Sequence, residues 1–441
     1  MYESLLIGTP VQINRIFTPD RRETISKLSD LYPEVIKTED LAKHSRELSE
    51  VKYVFSTWGP PLFTDEQLAQ LPNLEAVVYA AGSSRAELTK LSGVSAPTML
   101  KLLDDLIEAE LIEEQVHTPE GKGRPSKVYR IASQSAQVFG IIIGLDSCEI
   151  FSSGIDGKIK AKSSKSFSTP DNYTDLLNIL NIYIKTELSQ NGHVYKGVGL
   201  SVPGLIDQRT QTVTLSPNLQ FLNGKQIACD LSELSGLNCK MIHEEHALCL
   251  AERYCGGAKN EDNFVVLDIT AGIGTGIYSG GQYLSGSHGY AGEIGHVTVE
   301  LDGQLCSCGN TGCLETVAGD VALTKAVAKK MDSNLDMQEL IEQVNQGQID
   351  IEKELDHTLE YLSIGLAMII NIFNPTQVFV NSQIFKLKKA SLADLRKRVS
   401  KRVLSPSFEN CQIALTKADR RQGTVLGICN HLFELIGPKF D

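Results

Sequence analysis

No stretch of about 18 uninterrupted apolar residues occurs in this 441-residue chain, so no segment reads as a membrane-spanning helix. Low-complexity segments are absent as well. The start of the chain, Met1 to Gln12, lacks the basic region, apolar run and small-residue cleavage site of a secretory signal. Together these absences predict a cytoplasmic protein with no membrane partner. Basic charge is also scarce. The 42 Lys and Arg are outnumbered by 54 Asp and Glu, for a net charge of −12, which argues against a surface coated for nucleic acid. One local exception stands out, because Gly121 to Ile131 carries Lys122, Arg124, Lys127 and Arg130 and no acid.

What is present fits ordinary globular protein: 42% hydrophobic and 22% charged residues, in a chain too long for one core, so that two to four domains are expected. Of the ten cysteines, Cys306, Cys308 and Cys313 sit within eight residues, a cluster that points to metal before disulfide in a cytoplasmic protein. The remaining seven lie singly and read as small, mostly buried residues.

Three regions follow from the patterning. The first, residues 1–73, alternates short strands and helices: a strand at Leu5-Leu6-Ile7, a helix near Arg22 to Leu31, a strand from Val51 to Phe55, and a short helix opened by Thr64 with Gln67 three residues on. The run VKYVFSTWGPPLFTDEQLAQLPNLEAVVYAAGS resembles the first domain of the D-2-hydroxyacid dehydrogenases over roughly the first 83 residues. That family's dinucleotide loop and its Arg/Glu/His catalytic set do not follow, so the segment is expected to be a remnant without dehydrogenase activity. A small α/β appendage of other origin leads to the same functional conclusion.

The second region, residues 74–132, has the organisation of a winged helix-turn-helix. Leu74 to Ala81 is read as a first helix and Arg85 to Leu91 as a second, with a turn at Ser92-Gly93-Val94. Ser95 caps a longer helix to about Glu108, whose inner face is expected to carry Leu100, Leu103 and Ile107. Val116 to Ile131 forms a hairpin with the tip GKGRP. Ser95, Ala96, Thr98 and Lys101 occupy the first turns of the recognition helix, the part that enters a major groove, and Lys122, Arg124 and Lys127 lie in the wing. Glu108, Glu110, Glu113 and Glu114 are expected to face away from phosphate. The third region, residues 138–441, alternates buried strand runs such as FGIIIGLD, KGVGLSVPG, NFVVLDITAG and TQVFVNS with Gly-rich turns and helices, an α/β pattern.

His296 with Cys306, Cys308 and Cys313 makes a Cys3His set, the donors of a tetrahedral structural zinc. The surrounding run AGEIGHVTVELDGQLCSCGNTGCLET resembles the zinc-and-sugar signature of the ROK family, which contains sugar kinases and sugar-responsive repressors. The resemblance extends over the whole third region, and SRAELTKLSGVS with GRPSKVYRI just before it is the arrangement of the repressor branch.

The resemblance implies a two-lobed actin-like fold of the hexokinase type, preceded by the winged helix-turn-helix and the short α/β segment, with a sugar in the cleft. By matching motif, Glu293, His296 and Glu315 are implied sugar contacts, as are Asn218, Gly204, His243 and Glu244. His243-Glu244 stands where the kinases carry an Asn-Asp pair whose Asp is the general base, so Glu244 is a degenerate base. The kinases' first phosphate loop, Asp-x-Gly-x-Thr, reads Asp146-Ser147-Cys148-Glu149-Ile150 here. The second has Thr270-Ala271 for Gly-Thr, and the Gly-Gly under adenine is Asn381-Ser382. A retained sugar side beside an altered nucleotide side implies a homo-oligomeric, sugar-responsive repressor that is not an enzyme. Its expected partners are operator DNA and a sugar or sugar phosphate, acting on a homodimer or homotetramer. The alternative is an ATP-dependent sugar kinase.

Overall fold

The structure, a computed structural model, describes residues 2–436 apart from 11–12, 15–16, 46, 58–62, 80–82, 118–125, 133–134, 158, 191–192, 260, 271, 333–334 and 389. It divides into two compact units, Met1–Ile131 and Ala132–Asp441. No helix among the described residues is long and apolar enough to cross a membrane.

The first unit opens with a parallel sheet in the order β2-β1-β3-β4, built from β1 (Ser4–Ile7), β2 (Leu31–Ile36), β3 (Tyr53–Ser56) and β4 (Ala76–Tyr79), with helix α1 (Pro19–Ser26) between the first two strands. β1 is buried on both faces, as a central parallel strand must be. Leu5 and Ile7 enter one apolar cluster with Tyr32, Ile36 and Val54, and Leu6 enters another with Ile13 and Phe17. The reciprocal cap expected at Thr64 is made: Thr64 N donates to Gln67 Oε1 (3.0 Å) and Gln67 N donates to Thr64 Oγ1 (3.3 Å).

Two sequence expectations are corrected here. The helix expected near Arg22 to Leu31 runs instead from Pro19 to Ser26, and Leu31 begins β2. The segment Leu74 to Ala81, read as a first helix, contains β4, which runs parallel to β3 with Tyr53 opposite Ala76 and Ser56 opposite Tyr79. The β-branched and aromatic run Val77-Val78-Tyr79 suits a pleated edge, and β3 offers it a full row of backbone partners. The boundary drawn at 73/74 therefore cuts through the sheet.

Beyond it come β5 (Ser83–Ser84), α2 (Arg85–Ser92), α3 (Ala96–Glu108), β6 (Ile112–His117) and β7 (Ser126–Ile131), with an antiparallel sheet ordered β5-β7-β6. The turn between the helices passes through Gly93 at φ +71°, and Ser95 Oγ accepts from Thr98 N at the start of α3. The inner face of α3 is Met99, Leu103 and Ile107, packed with Leu88, Val94, Ile112 and Tyr129. Leu103 and Ile107 face inward as expected, but Leu100 is 39% exposed and Met99 takes its place, so the stripe follows the i, i+4, i+8 row.

The second unit is a topological duplication. Its first sheet, β10-β9-β8-β11-β14, is built from β8 (Ala136–Ile143), β9 (Ser147–Gly154), β10 (Ile159–Ser168), β11 (Val194–Val202) and β14 (Asn238–His243). A small hairpin, β12 (Leu205–Asp207) and β13 (Thr212–Leu215), follows β11. The second sheet, β17-β16-β15-β18-β19, repeats the scheme with β15 (Phe264–Ile269), β16 (Ile273–Ser279), β17 (Gln282–Tyr283), β18 (Gln377–Ser382) and β19 (Gln412–Leu415). In each sheet an antiparallel meander of three strands is extended by two parallel ones.

The parallel crossovers need helices. They are α4 (Tyr173–Gln190) and α5 (Ile227–Ser235) in the first half. In the second they are α7 (Asp320–Met331), α8 (Met337–Asn345), α9 (Glu352–Phe373) and α10 (Leu392–Ser400). Helix α6 (Glu244–Tyr254) leads from the first sheet to the second, and the last helix, α11 (Arg420–Ile436), packs on β8, β11 and α6. Each sheet has its own apolar core.

Helices α6 and α11 approach so closely that a Cβ on Gly423 would lie 1.6 Å from the Ala247 carbonyl oxygen. Backbone cannot yield as a flexible side-chain tip can. Gly423→Ala is therefore expected to cost about 3 kcal/mol of stability by overpacking, read as a lowered thermal midpoint.

Candidate ligand cleft and metal centre

The parallel strands β8, β11 and β14 end on one side of their sheet, and the segments that follow them form one wall of a cleft, as is general for open α/β sheets. These segments are 144–146 after β8, 203–205 after β11 and 243–245 at the start of α6. The β15–β16 turn, Glu293, His296, Glu315 and Arg420 complete a cavity of about 540 Å3, a size suited to a small molecule. All seven residues implied as sugar contacts, Gly204, Asn218, His243, Glu244, Glu293, His296 and Glu315, line it.

His243 is both the last residue of β14 and the N-cap of α6, and it is 8% exposed. Its Nδ1 pairs with the Glu245 carboxylate, while its buried Nε2 has no hydrogen-bond partner and lies 4.0 Å from Glu293 Oε1. Burial opposes the imidazolium, but Glu245, Glu293 and Glu244 outweigh it and hold His243 up at about 9. For Glu245 burial acts upward, and the His243 charge overrides it to about 2. Glu244 goes the other way. Burial, with repulsion from Glu245 and Asp268, lifts it to about 7 against the pull of Arg420.

Arg420, Asp268 and Glu245 are site residues that the sequence reading missed. Arg420 Nη1 donates to Glu244 and Nη2 to Asp268 Oδ2 (2.5 Å), and Asn381 Nδ2 donates to the other Asp268 oxygen (2.7 Å). An acid inside the apolar strand run FVVLDIT is a legible signal for Asp268. The sequence around Arg420 carries none.

The residues that depart from the kinase phosphate loops are engaged internally. Cys148 and Ile150 are fully buried, with Cys148 Sγ 3.4 Å from Thr169 Oγ1. Glu149 puts a negative charge in the altered first loop, near where a kinase would hold phosphate. It is paired with Arg421 at 3.4 Å, which neutralises it. Ser382 Oγ donates to Asp320 (2.7 Å). Ala271 lies outside the described residues.

The Cys3His set converges. Its four candidate donor atoms lie within 4.8 Å of one another. A tetrahedral zinc with bonds of about 2.3 Å to sulfur and about 2.0 Å to nitrogen has S···S edges of about 3.8 Å and S···N edges of about 3.6 Å. Cys308 Sγ and Cys313 Sγ are 3.8 Å apart, and Cys306 Sγ is 3.6 Å from His296 Nδ1, so the residues fit the ion. The loop reaches this shape because Gly312, at φ +72°, passes where a Cβ would sit 1.6 Å from the Glu300 carbonyl oxygen. His296 links the cluster to the cleft: its Nδ1 is 3.6 Å from Glu315 Oε1 and its Nε2 3.8 Å from Glu293 Oε2.

At the residues expected to meet DNA, Ser95 and Thr98 share a hydroxyl contact of 2.7 Å at the cap of α3, and Ala96 and Lys101 are exposed. Lys122 and Arg124 lie outside the described residues, as does the side chain of Lys127. Arg130 is tied to Glu113 across the β6–β7 hairpin at 2.7 Å, so one cation of the basic segment is already neutralised.

A pH dependence follows from the buried His243–Glu245 pair. His243 is held above its ordinary 6.5, so its contribution to stability is complete below about pH 6.5 and is lost as pH rises through about 9. Glu245 is held below its ordinary 4.5, so its contribution is complete above about pH 4.5 and is lost as pH falls through about 2. The difference in thermal midpoint between wild type and Glu245→Gln is expected to be widest between about pH 4.5 and 6.5 and to shrink towards pH 9. A difference that stays constant from pH 5 to 9 means the ion pair does not form.

Residues 138–430 match the sequence profile of the ROK family. The chain is similar to the xylose repressor of Bacillus subtilis (strain 168), with 27% identity over 368 residues, 82% of this chain and 95% of that protein. Among solved structures it is similar in fold to a ROK family transcriptional regulator, a homologue of the E. coli MLC protein, with a TM-score of 0.70 at 22% identity, over 80% of this chain and 93% of that one. It is also similar in fold to the ROK hexokinase of Thermus thermophilus, with a TM-score of 0.54 at 23% identity, over 66% and 97%. With the profile matched over more than half of its length, on two sheets of duplicated topology, the chain belongs to the ROK family.

Proposed function

We propose that this protein is a sugar-responsive, DNA-binding transcriptional repressor whose ROK unit binds its ligand without phosphorylating it. The observation that carries this reading is the engagement of Glu244. The residue at the kinases' base position is tied to Arg420, with Asp268 and Asn381 behind it, on the side where a kinase needs room for nucleotide. Arg420 and the buried Cys148 and Ile150 leave neither a free base nor a hydroxyl-lined phosphate loop. Joined to this unit are a capped helix α3 preceded by a tight turn and followed by a hairpin, the arrangement that delivers a recognition helix to a major groove. The similarity to a protein named a xylose repressor, over 82% of this chain and 95% of that one, supports the same class.

In this reading Glu293, Glu315, His243, His296 and Asn218 bind sugar hydroxyls, and Ser95, Ala96, Thr98, Lys101, Lys122, Arg124 and Lys127 meet operator DNA. Symmetric half-sites require at least a dimer, working in the cytoplasm. The N-terminal parallel sheet contributes no dehydrogenase chemistry.

His296, Cys306, Cys308 and Cys313 would hold one structural zinc, which gives rigidity to the loop that presents His296 and Glu315. Elemental analysis of purified protein is expected to find one zinc per chain. Cys308→Ser is expected to lose it and to weaken sugar binding along with it. A wild-type protein that folds and binds sugar with no metal overturns the assignment.

The function itself is tested by titrating operator DNA with and without saturating sugar. Coupling of about 1–3 kcal/mol, or about 5–150-fold in DNA affinity, is expected, with sugar lowering affinity and operator lowering sugar affinity by the same factor. Glu293→Ala is expected to abolish the response and to leave DNA binding without sugar intact. A sugar that binds by calorimetry yet leaves operator affinity unmoved ends the sensor reading.

A further inference from the structure

The charge of the cleft narrows what it can hold more sharply than its volume does. Asp146, Glu244, Glu245, Asp268, Glu293 and Glu315 all line the cavity. Those that are ionised only accept hydrogen bonds, and so does a phosphate dianion; Glu244, lifted to about 7, is the one closest to neutral. A sugar's hydroxyls, in contrast, can donate to these oxygens and accept from a neighbouring N–H. His243 supplies such a group: its Nδ1 is taken by Glu245, while its Nε2 is buried and unpartnered beside Glu293.

Among the described lining residues two cations could meet a phosphate: the His243 imidazolium, which is paired with Glu245 and whose Nε2 faces the Glu293 carboxylate, and the Arg420 guanidinium. The guanidinium is already committed, Nη1 to Glu244 and Nη2 to Asp268. Asp268 is itself fixed by Asn381, and its side chain is only 4% exposed. A phosphate that recruited Arg420 would leave that carboxylate as an uncompensated buried charge.

We propose that the cleft selects an uncharged, unphosphorylated sugar, and that the saturation of Arg420 by Glu244 and Asp268 is what excludes a phosphorylated one. This rests on the cleft being a sugar site, as proposed above, and it makes Arg420 a specificity determinant although no hydroxyl need touch it. Two like charges about 6 Å apart in surroundings of effective dielectric about 20 separate the two ligand forms by about 100-fold in affinity.

The test is calorimetry on the full chain at physiological ionic strength. The probes are D-xylose, D-glucose and N-acetyl-D-glucosamine, against xylose 5-phosphate, glucose 6-phosphate and N-acetylglucosamine 6-phosphate. The expected result is that at least one unphosphorylated sugar binds and that its phosphate binds about 100-fold more weakly. A phosphate that binds as tightly as its parent sugar, or more tightly, overturns the selectivity and leaves the sugar-sensor reading standing. Binding by none of the six removes both. Asp268→Asn frees Nη2 and deletes one carboxylate, so the ratio between the two ligand forms is expected to fall about tenfold or more. An unchanged ratio in this variant, with native circular dichroism, overturns the role given to Arg420. Glu244→Gln frees Nη1 and reads the same ratio should Asp268→Asn not fold.

Discussion

Arg420 begins the last helix, packs with that helix against the first sheet of the second unit, and delivers its charge to Asp268 on that unit's second sheet. A cation in the first turn of a helix works against the helix dipole. The two carboxylates it meets offset that cost, and none of the three charges is solvated enough to stand alone: the side chains of Arg420, Glu244 and Asp268 are 20%, 19% and 4% exposed. Arg420, Glu244 and Asp268 thus satisfy one another, and spare hydrogen-bonding capacity is left to the buried His243 Nε2 and to the groups beside the Cys3His loop.

In the function proposed above, that division is what separates sensing from catalysis on one fold. A kinase of this architecture must keep a base free and a phosphate path open, and both demand groups poised without partners. Here the corresponding positions are filled by groups that satisfy one another, while the two nitrogens of His296 lie within 4 Å of Glu293 and of Glu315, all three lining the cavity. The Cys3His loop stiffens this rim from behind, since two bridges, Thr298 to Cys313 and Leu305 to Thr311, fold it into a ribbon.

Much of this was legible in the sequence because it is local. The Thr64–Gln67 box, the Ser95 cap and the Cys3His spacing each depend on residues within a few positions of one another or on one short motif. The cleft residues were legible through their motifs, and the structure gathers all seven into one cavity. What escaped is non-local or a matter of phase. Arg420 and Asp268 are 152 residues apart, and nothing in either neighbourhood announces the other. The first residue of the stripe on α3 was read as Leu100 instead of Met99 because both are apolar, and only the packing of the cluster with Tyr129 distinguishes them. β4 was read as helix because a helix-turn-helix calls for one before Arg85, and four residues with a strand preference are too few to overrule that pattern until β3 supplies the hydrogen bonds.

That last strand also governs how the chain can be divided. A fragment cut at Asn73 to isolate the helix-turn-helix would keep Ala76–Tyr79 and discard its neighbour Tyr53–Ser56. It would carry a bare parallel edge, with Val77 and Val78 already 42% and 41% exposed in the intact unit, and such an edge invites pairing with a second fragment. Oligomers of that fragment would report the cut rather than the protein's own assembly. A fragment that begins after Tyr79 leaves the parallel sheet intact on one side and starts the other on β5, whose partner β7 travels with it.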